Sequence, residues 1–157
     1  MLWYCHKNPS IILMEHNINI SNPNSIVGIW KGKVSQVMFG QDVEILITMD
    51  LLEVGDKIAG TASLDVSNIK LKDEAGNLLV LEPATLDIEG GYYENRFLQL
   101  NYKNPNESLQ FGYIVIDLYE NSIKADDHFI KGLLIGYGPR SKKIINGEII
   151  LKKCSGQ

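Results

Sequence analysis

From Ser25 onward the apolar residues recur mostly with a period of two, broken by turn-forming residues every 8 to 12 positions. In an extended chain a period of two sends alternate side chains to opposite faces, so each such run reads as a strand with one apolar face. The three-and-four spacing of an amphipathic helix is nearly absent. Such a chain has to bury one face of every strand against other strands, which leaves a β-sandwich or a β-barrel.

The first long run places Trp30, Gly32 and Val34 on one face and Lys31, Lys33 and Ser35 on the other, and ends at Phe39-Gly40-Gln41-Asp42. Run 43–52 sets Ile45, Ile47 and Met49 against Glu44, Thr48 and Asp50, with a turn at 53–56. Run 57–66 follows with Ile58, Gly60, Ala62 and Leu64 on one side. Shorter strands are predicted at 68–72 and 78–82, joined by Asp73-Glu74-Ala75-Gly76-Asn77, whose Gly-Asn pair suits a turn that needs positive φ. Then come 84–89 and 96–103, the latter with Leu98, Leu100 and Tyr102 in phase. A loop at 104–108 leads to 109–119, which is apolar on both faces and is therefore predicted to be covered on both. Runs 129–137 and 145–153, separated by 138–143, complete the pattern. Sequential hairpins favour an all-β fold, a small antiparallel up-and-down barrel of about eight to ten strands, because closure removes exposed sheet edges. A sandwich is the alternative.

A chain of 157 residues is the size of one domain. Residues 1–24, ending in the Asn-rich stretch 17–24, read as an N-terminal appendage or linker, and 25–157 as the barrel domain. A net charge of -4 argues against DNA, RNA or an anionic membrane surface as partner, since each requires a dense cationic footprint. The two cysteines, Cys5 and Cys154, offer no disulfide framework or metal motif, and fit a reducing cytoplasm. The apolar run 11–14 is too short for a signal peptide, and no stretch approaches the ~20 apolar residues of a membrane-spanning helix. The expectation is a soluble, cytoplasmic protein, with oligomerisation left open.

Catalytic signatures are missing: there is no GxSxG elbow and no HExxH. The near miss Gly28-Ile29-Trp30-Lys31-Gly32-Lys33 is too short for a phosphate-cradling loop, is followed by Val34, and lies on a strand. Asp126, Asp127 and His128 are adjacent in an extended chain and point in alternating directions, so they read as a solvated turn rather than a metal site. His6 and His16 show no ligand spacing. The chain is expected not to be an enzyme and to need neither cofactor nor metal.

What remains is aromatic and basic. Trp30, two residues after Gly28, can plug one end of a barrel while the glycine lets the chain pass closely beneath. Tyr92, Tyr93, Tyr102, Tyr113, Tyr119 and Tyr137 crowd the second half, and each carries a hydroxyl that wants a partner when buried. Arg96 and Arg140 are the only arginines. Arg96 is expected to pack across a barrel end near Trp30. Arg140, in a Gly-Pro-Arg-Ser loop beside two lysines, suits phosphate or carboxylate recognition as well as simple solubility.

The opening Gly28-Ile29-Trp30 resembles the GxW strand of lipocalin-like barrels. A second set is similar, in order and spacing, to the cyclic-nucleotide-sensing barrel of the SMODS-associated two-transmembrane effectors of bacterial CBASS antiviral defence. It comprises Leu100-Asn101-Tyr102-Lys103-Asn104-Pro105, Phe111-Gly112, Gly136-Tyr137-Gly138-Pro139-Arg140-Ser141 and Gly147-Glu148-Ile149. The match covers residues 25–154. The resemblance implies an eight-stranded lipocalin-like barrel that takes up a cyclic di- or trinucleotide made by a partner nucleotidyltransferase. Those effectors carry two membrane helices before the barrel, so the chain is either an excised sensor, associated with the inner membrane through an upstream region, or a relative with another output.

The expected function is small-ligand binding, with Tyr102, Asn104, Tyr113, Tyr137 and Arg140 as contacts and Gly28, Trp30 and Arg96 as structural residues. Aromatic faces would stack on bases and the cation would meet phosphate. Two alternatives stand beside the cyclic-nucleotide sensor. One is a carrier of an apolar or neutral metabolite, which predicts a cavity lined by Leu, Ile and Phe with no buried cation. The other is a filled structural or interaction barrel, which predicts no cavity.

Overall fold

The computed structural model of the chain describes residues 26–118 and 129–154. The appendage 1–24, Tyr119 and the turn 126–128 lie outside the described residues. The strands are β1 (Gly28–Met38), β2 (Gln41–Val54), β3 (Lys57–Asp65), β4 (Leu71–Lys72), β5 (Leu78–Leu79), β6 (Ala84–Tyr93), β7 (Phe97–Asn104), β8 (Glu107–Asp117), β9 (Phe129–Gly138) and β10 (Lys143–Lys153). Eight of them close an antiparallel up-and-down barrel in the order β1-β10-β9-β8-β7-β6-β3-β2. Closure excludes the sandwich. The seam between first and last strands runs in register from Trp30 opposite Lys153 to Gln36 opposite Gly147. Beyond it the Cys154 N–H donates to the Ile29 carbonyl (2.8 Å).

Several connections are tighter than the sequence suggests. The β1–β2 turn contains only Phe39 and Gly40, with φ of 51° and 73°. Two left-handed residues give a turn twist that matches the right-handed twist of the flanking strands, so the ladder runs up to the turn. The β7–β8 turn likewise shrinks to Pro105 and Asn106, and the Asn104 side-chain oxygen accepts the Asn106 N–H (2.9 Å).

The two short strands predicted at 68–72 and 78–82 reduce to two residues each and pair with one another outside the barrel wall. They lie in the long connection from β3 to β6, which folds back onto the barrel. Leu71 is buried in the core, Gln41 donates to the Lys72 carbonyl (3.1 Å), and Glu74 meets Lys143 (3.7 Å).

Two expectations are corrected. Among the described residues, the run from 109 is covered on one face only: Phe111 faces Tyr137, Tyr113 faces Ile135 and Val115 faces Leu133 along the outer wall, and all but Tyr137 are exposed. A barrel wall has a single inside, so a doubly apolar strand keeps one face out unless a second layer covers it. Cys154 is disulfide-bonded, which removes cysteine usage as an argument for a reducing compartment.

Candidate functional site

Because the strands run up and down, the barrel has two ends of different construction. One carries the start of β1 with the β2–β3 and β6–β7 turns, and is occupied by buried side chains. Trp30 has no exposed surface, and its indole N–H donates to the Ile26 carbonyl (2.7 Å), so the one polar atom of this plug is satisfied. Leu51, Ile58, Leu98, Ile116, Ile130 and Leu151 are buried with it. Gly28, at φ +130°, turns the chain beneath this layer in a conformation that side-chain-bearing residues rarely adopt, with the Lys153 stem alongside. The placement of Gly28 and Trp30 fits a structural plug.

Arg96 lies at the same end, but its guanidinium grips Asp117 with two hydrogen bonds (3.1 and 2.8 Å) and covers the Phe97 ring at 4.9 Å. The cation above Trp30, at 5.9 Å, is Lys153.

The opposite half of the barrel is hollow. A cavity of about 440 Å³ opens between the β3–β6 connection, the β7–β8 turn and the β9–β10 loop. Its depth is walled by Val34, Ile45, Ile47, Met49, Ala62, Leu86, Ile88, Ile114, Leu134 and Ile149. Among the described residues no charged side chain is buried, so no cation sits in the depth. Polar groups collect towards the mouth: Gln36, Glu82, Asn104, Glu107, Gln110 and Arg140. Asn104 donates to the Gln110 side-chain oxygen (2.8 Å), while Gln36 has only a weak contact to the Met38 sulfur (3.5 Å) and its own oxygen is unpartnered.

The five contacts anticipated from sequence are distributed unevenly. Tyr102 stands on the inner wall and is 9% exposed, and burial pushes its phenol up to about 12. Asn104 and Arg140 belong to the mouth, Arg140 from an exposed loop position. Tyr137 reaches the cavity margin from the outward phase of β9, and its ring stacks on Phe111 at 6.3 Å and 12°. Tyr113 does not line the cavity. It points outward, is 55% exposed, and lies opposite Ile135.

Sequence reasoning missed Gln36 and Gln110, although the signal was there. Gln36 continues the inward phase of Trp30, Gly32 and Val34, and Gln110 precedes Gly112, Ile114 and Ile116 in theirs, so each is a polar residue at a core-facing position. Gly112 and Gly136 stand in the effector-like stretches, but their adjacency was missed for another reason. They lie side by side across β8 and β9, with Gly112 also opposite Tyr102, and only the pairing register makes them neighbours.

Among the described residues no cluster of His, Cys, Asp or Glu could hold a metal ion, and no helix is long and apolar enough to cross a membrane. No protein-family profile, curated protein or solved structure matches the chain. The likeness to the two-transmembrane effectors therefore rests on the sequence stretches alone, whereas the closed eight-stranded antiparallel barrel is a property of the fold itself.

Proposed function

We propose that this chain binds a small, largely apolar molecule in the open half of its barrel and holds it without transforming it. One observation carries the reading: a cavity of about 440 Å³, walled by aliphatic side chains and bordered by polar ones, where a filled barrel would have packed side chains. Cavities of roughly 300–1,000 Å³, apolar with a few polar groups, are the usual form of a small-molecule site. The side chains lining this one include no histidine or cysteine, and its carboxylates, Glu82 and Glu107, stand with the Arg140 cation at the mouth. That set suits binding better than proton transfer or nucleophilic attack.

The cyclic-nucleotide reading keeps one favourable observation: Asn104, Tyr137 and Arg140 share a single margin of the cavity. Against it, one arginine faces two carboxylates there, and a phosphodiester carried further inside would meet only apolar walls.

Thermal unfolding in the presence of 1-decanol, 2-decanone, decanoate and a panel of cyclic di- and trinucleotides separates the readings. A ligand at a hundredfold excess over its dissociation constant adds about 2.7 kcal/mol, or roughly 5–10 °C in the midpoint of a domain this size. The neutral decyl compounds are expected to raise the midpoint and the nucleotides to leave it unchanged. A shift with a cyclic nucleotide alone would replace this proposal with the sensor. No shift with any of them would leave the structural barrel.

A further inference from the structure

Inward positions in the depth of the cavity are almost all aliphatic; Tyr102 departs from that below the mouth, where Gln36, Asn104 and Gln110 collect. It continues the inward phase of Leu98 and Leu100 on β7, one inward position below Asn104, which is about 7 Å deeper along the strand. On one side it faces Ile88 of β6; on the other its neighbours are Gly112 and, one strand further, Gly136, in register on β8 and β9. A Cβ built on either glycine would collide with the phenolic oxygen. The ring therefore lies across a strip of wall from which side chains are missing, and the hydroxyl is carried sideways over β9 instead of up towards the polar mouth.

None of the described residues hydrogen-bonds this hydroxyl. Nor is it walled in, since the occluded orphan oxygens are those of Gln36 and Asp50. A phenylalanine would fill the same groove without a stranded polar group, and an unmet hydroxyl in an apolar surrounding is costly. We infer that the Tyr102 hydroxyl anchors the ligand, and that the ligand is an uncharged amphiphile whose ketone, ester, amide or alcohol oxygen meets it below the cavity mouth.

This rests on the small-molecule reading of the same cavity and narrows it. A protonated phenol donates to a neutral oxygen, and the depth holds no cation to neutralise a carboxylate. At the mouth Glu82 and Glu107 oppose an anion while Asn104 and Gln110 bond one another, so the polar group best placed to orient a deeply seated ligand is Tyr102.

The test is displacement of the neutral dye 1-aminoanthracene from the full chain by 2-decanone, 1-decanol, decanoate and 1-bromodecane, in wild type and Tyr102→Phe. In wild type the ketone and alcohol should compete better than decanoate. The substitution should weaken both roughly three- to tenfold, the range of one hydrogen bond, and leave 1-bromodecane unchanged. Equal weakening of every competitor, or no weakening at all, would overturn the anchor, and tightest binding by decanoate would overturn the uncharged class. Failure of the dye and every competitor to bind wild type would remove the binding reading itself, a different result from either. A readout on wild type alone guards against a variant that folds poorly: the infrared carbonyl band of bound 2-decanone should lie below its position in hydrocarbon. An unshifted band would also overturn the anchor.

Discussion

At the residue scale, the groove under Tyr102 depends on two absent side chains. Alanine at Gly136 would place its Cβ on the Tyr102 hydroxyl and force the ring off the wall. Gly136→Ala should therefore lower stability by about 1–3 kcal/mol, measured by urea unfolding, as other over-packed cores do. Asp50 makes a second residue-scale case. Burial raises its carboxyl above the ordinary 3.8, and one of its oxygens is occluded without a partner. A raised folded value means that the folded state holds the proton more tightly. This contribution to stability is complete below 3.8 and lost as the pH rises through the folded value. Asp50→Asn should accordingly melt higher than wild type at pH 7, with the gap closing as the pH falls below 4. A gap that widens in acid would contradict the assignment.

At the scale of the element, inside and outside are set by strand phase. Ile114 and Val115 are neighbours in sequence on β8, yet the first is buried against the cavity and the second is exposed on the outer wall. Lysine at 115 should change stability by about 0.5 kcal/mol or less, whereas lysine at 114 buries an unpaired charge and should cost more than about 3 kcal/mol in the same unfolding experiment. The phases of β1, β2, β3 and β7 were legible from alternation, and so were the turns that contain Gly40, Gly55 and Gly76, all at positive φ. Two things were not legible. The doubly apolar β8 gives no sign of which face stays out, because that depends on whether another layer covers the wall. The length of the β3–β6 excursion was blurred because Leu71, Leu79 and Leu81 are apolar for packing against the barrel rather than for forming its wall.

At the scale of the whole molecule, the two ends of the barrel are asymmetric. Trp30 and its neighbours seal one end, while the other keeps a cavity that its own side chains do not fill. Gly28 and Trp30 were read from sequence as a plug for one end, and Trp30 is buried there, but a cavity is a property of volumes summed over eight strands, which no single run reveals. The sequence nominated Tyr102, Tyr137 and Arg140 from residue chemistry together with the resemblance, and Asn104 from the resemblance alone, and closure of the barrel brings all four to one cavity. It leaves Tyr113 outside, because β8 turns that residue outward.

The most direct measurement is a titration of 1-aminoanthracene into wild type and Ala62→Phe. Ala62 is buried on the cavity wall, and a phenyl group there occupies the space assigned to the ligand. Saturable dye binding is expected for wild type, with its loss in a variant whose thermal midpoint is maintained. Equal binding to both folded proteins would place the dye elsewhere and contradict a ligand site inside the barrel.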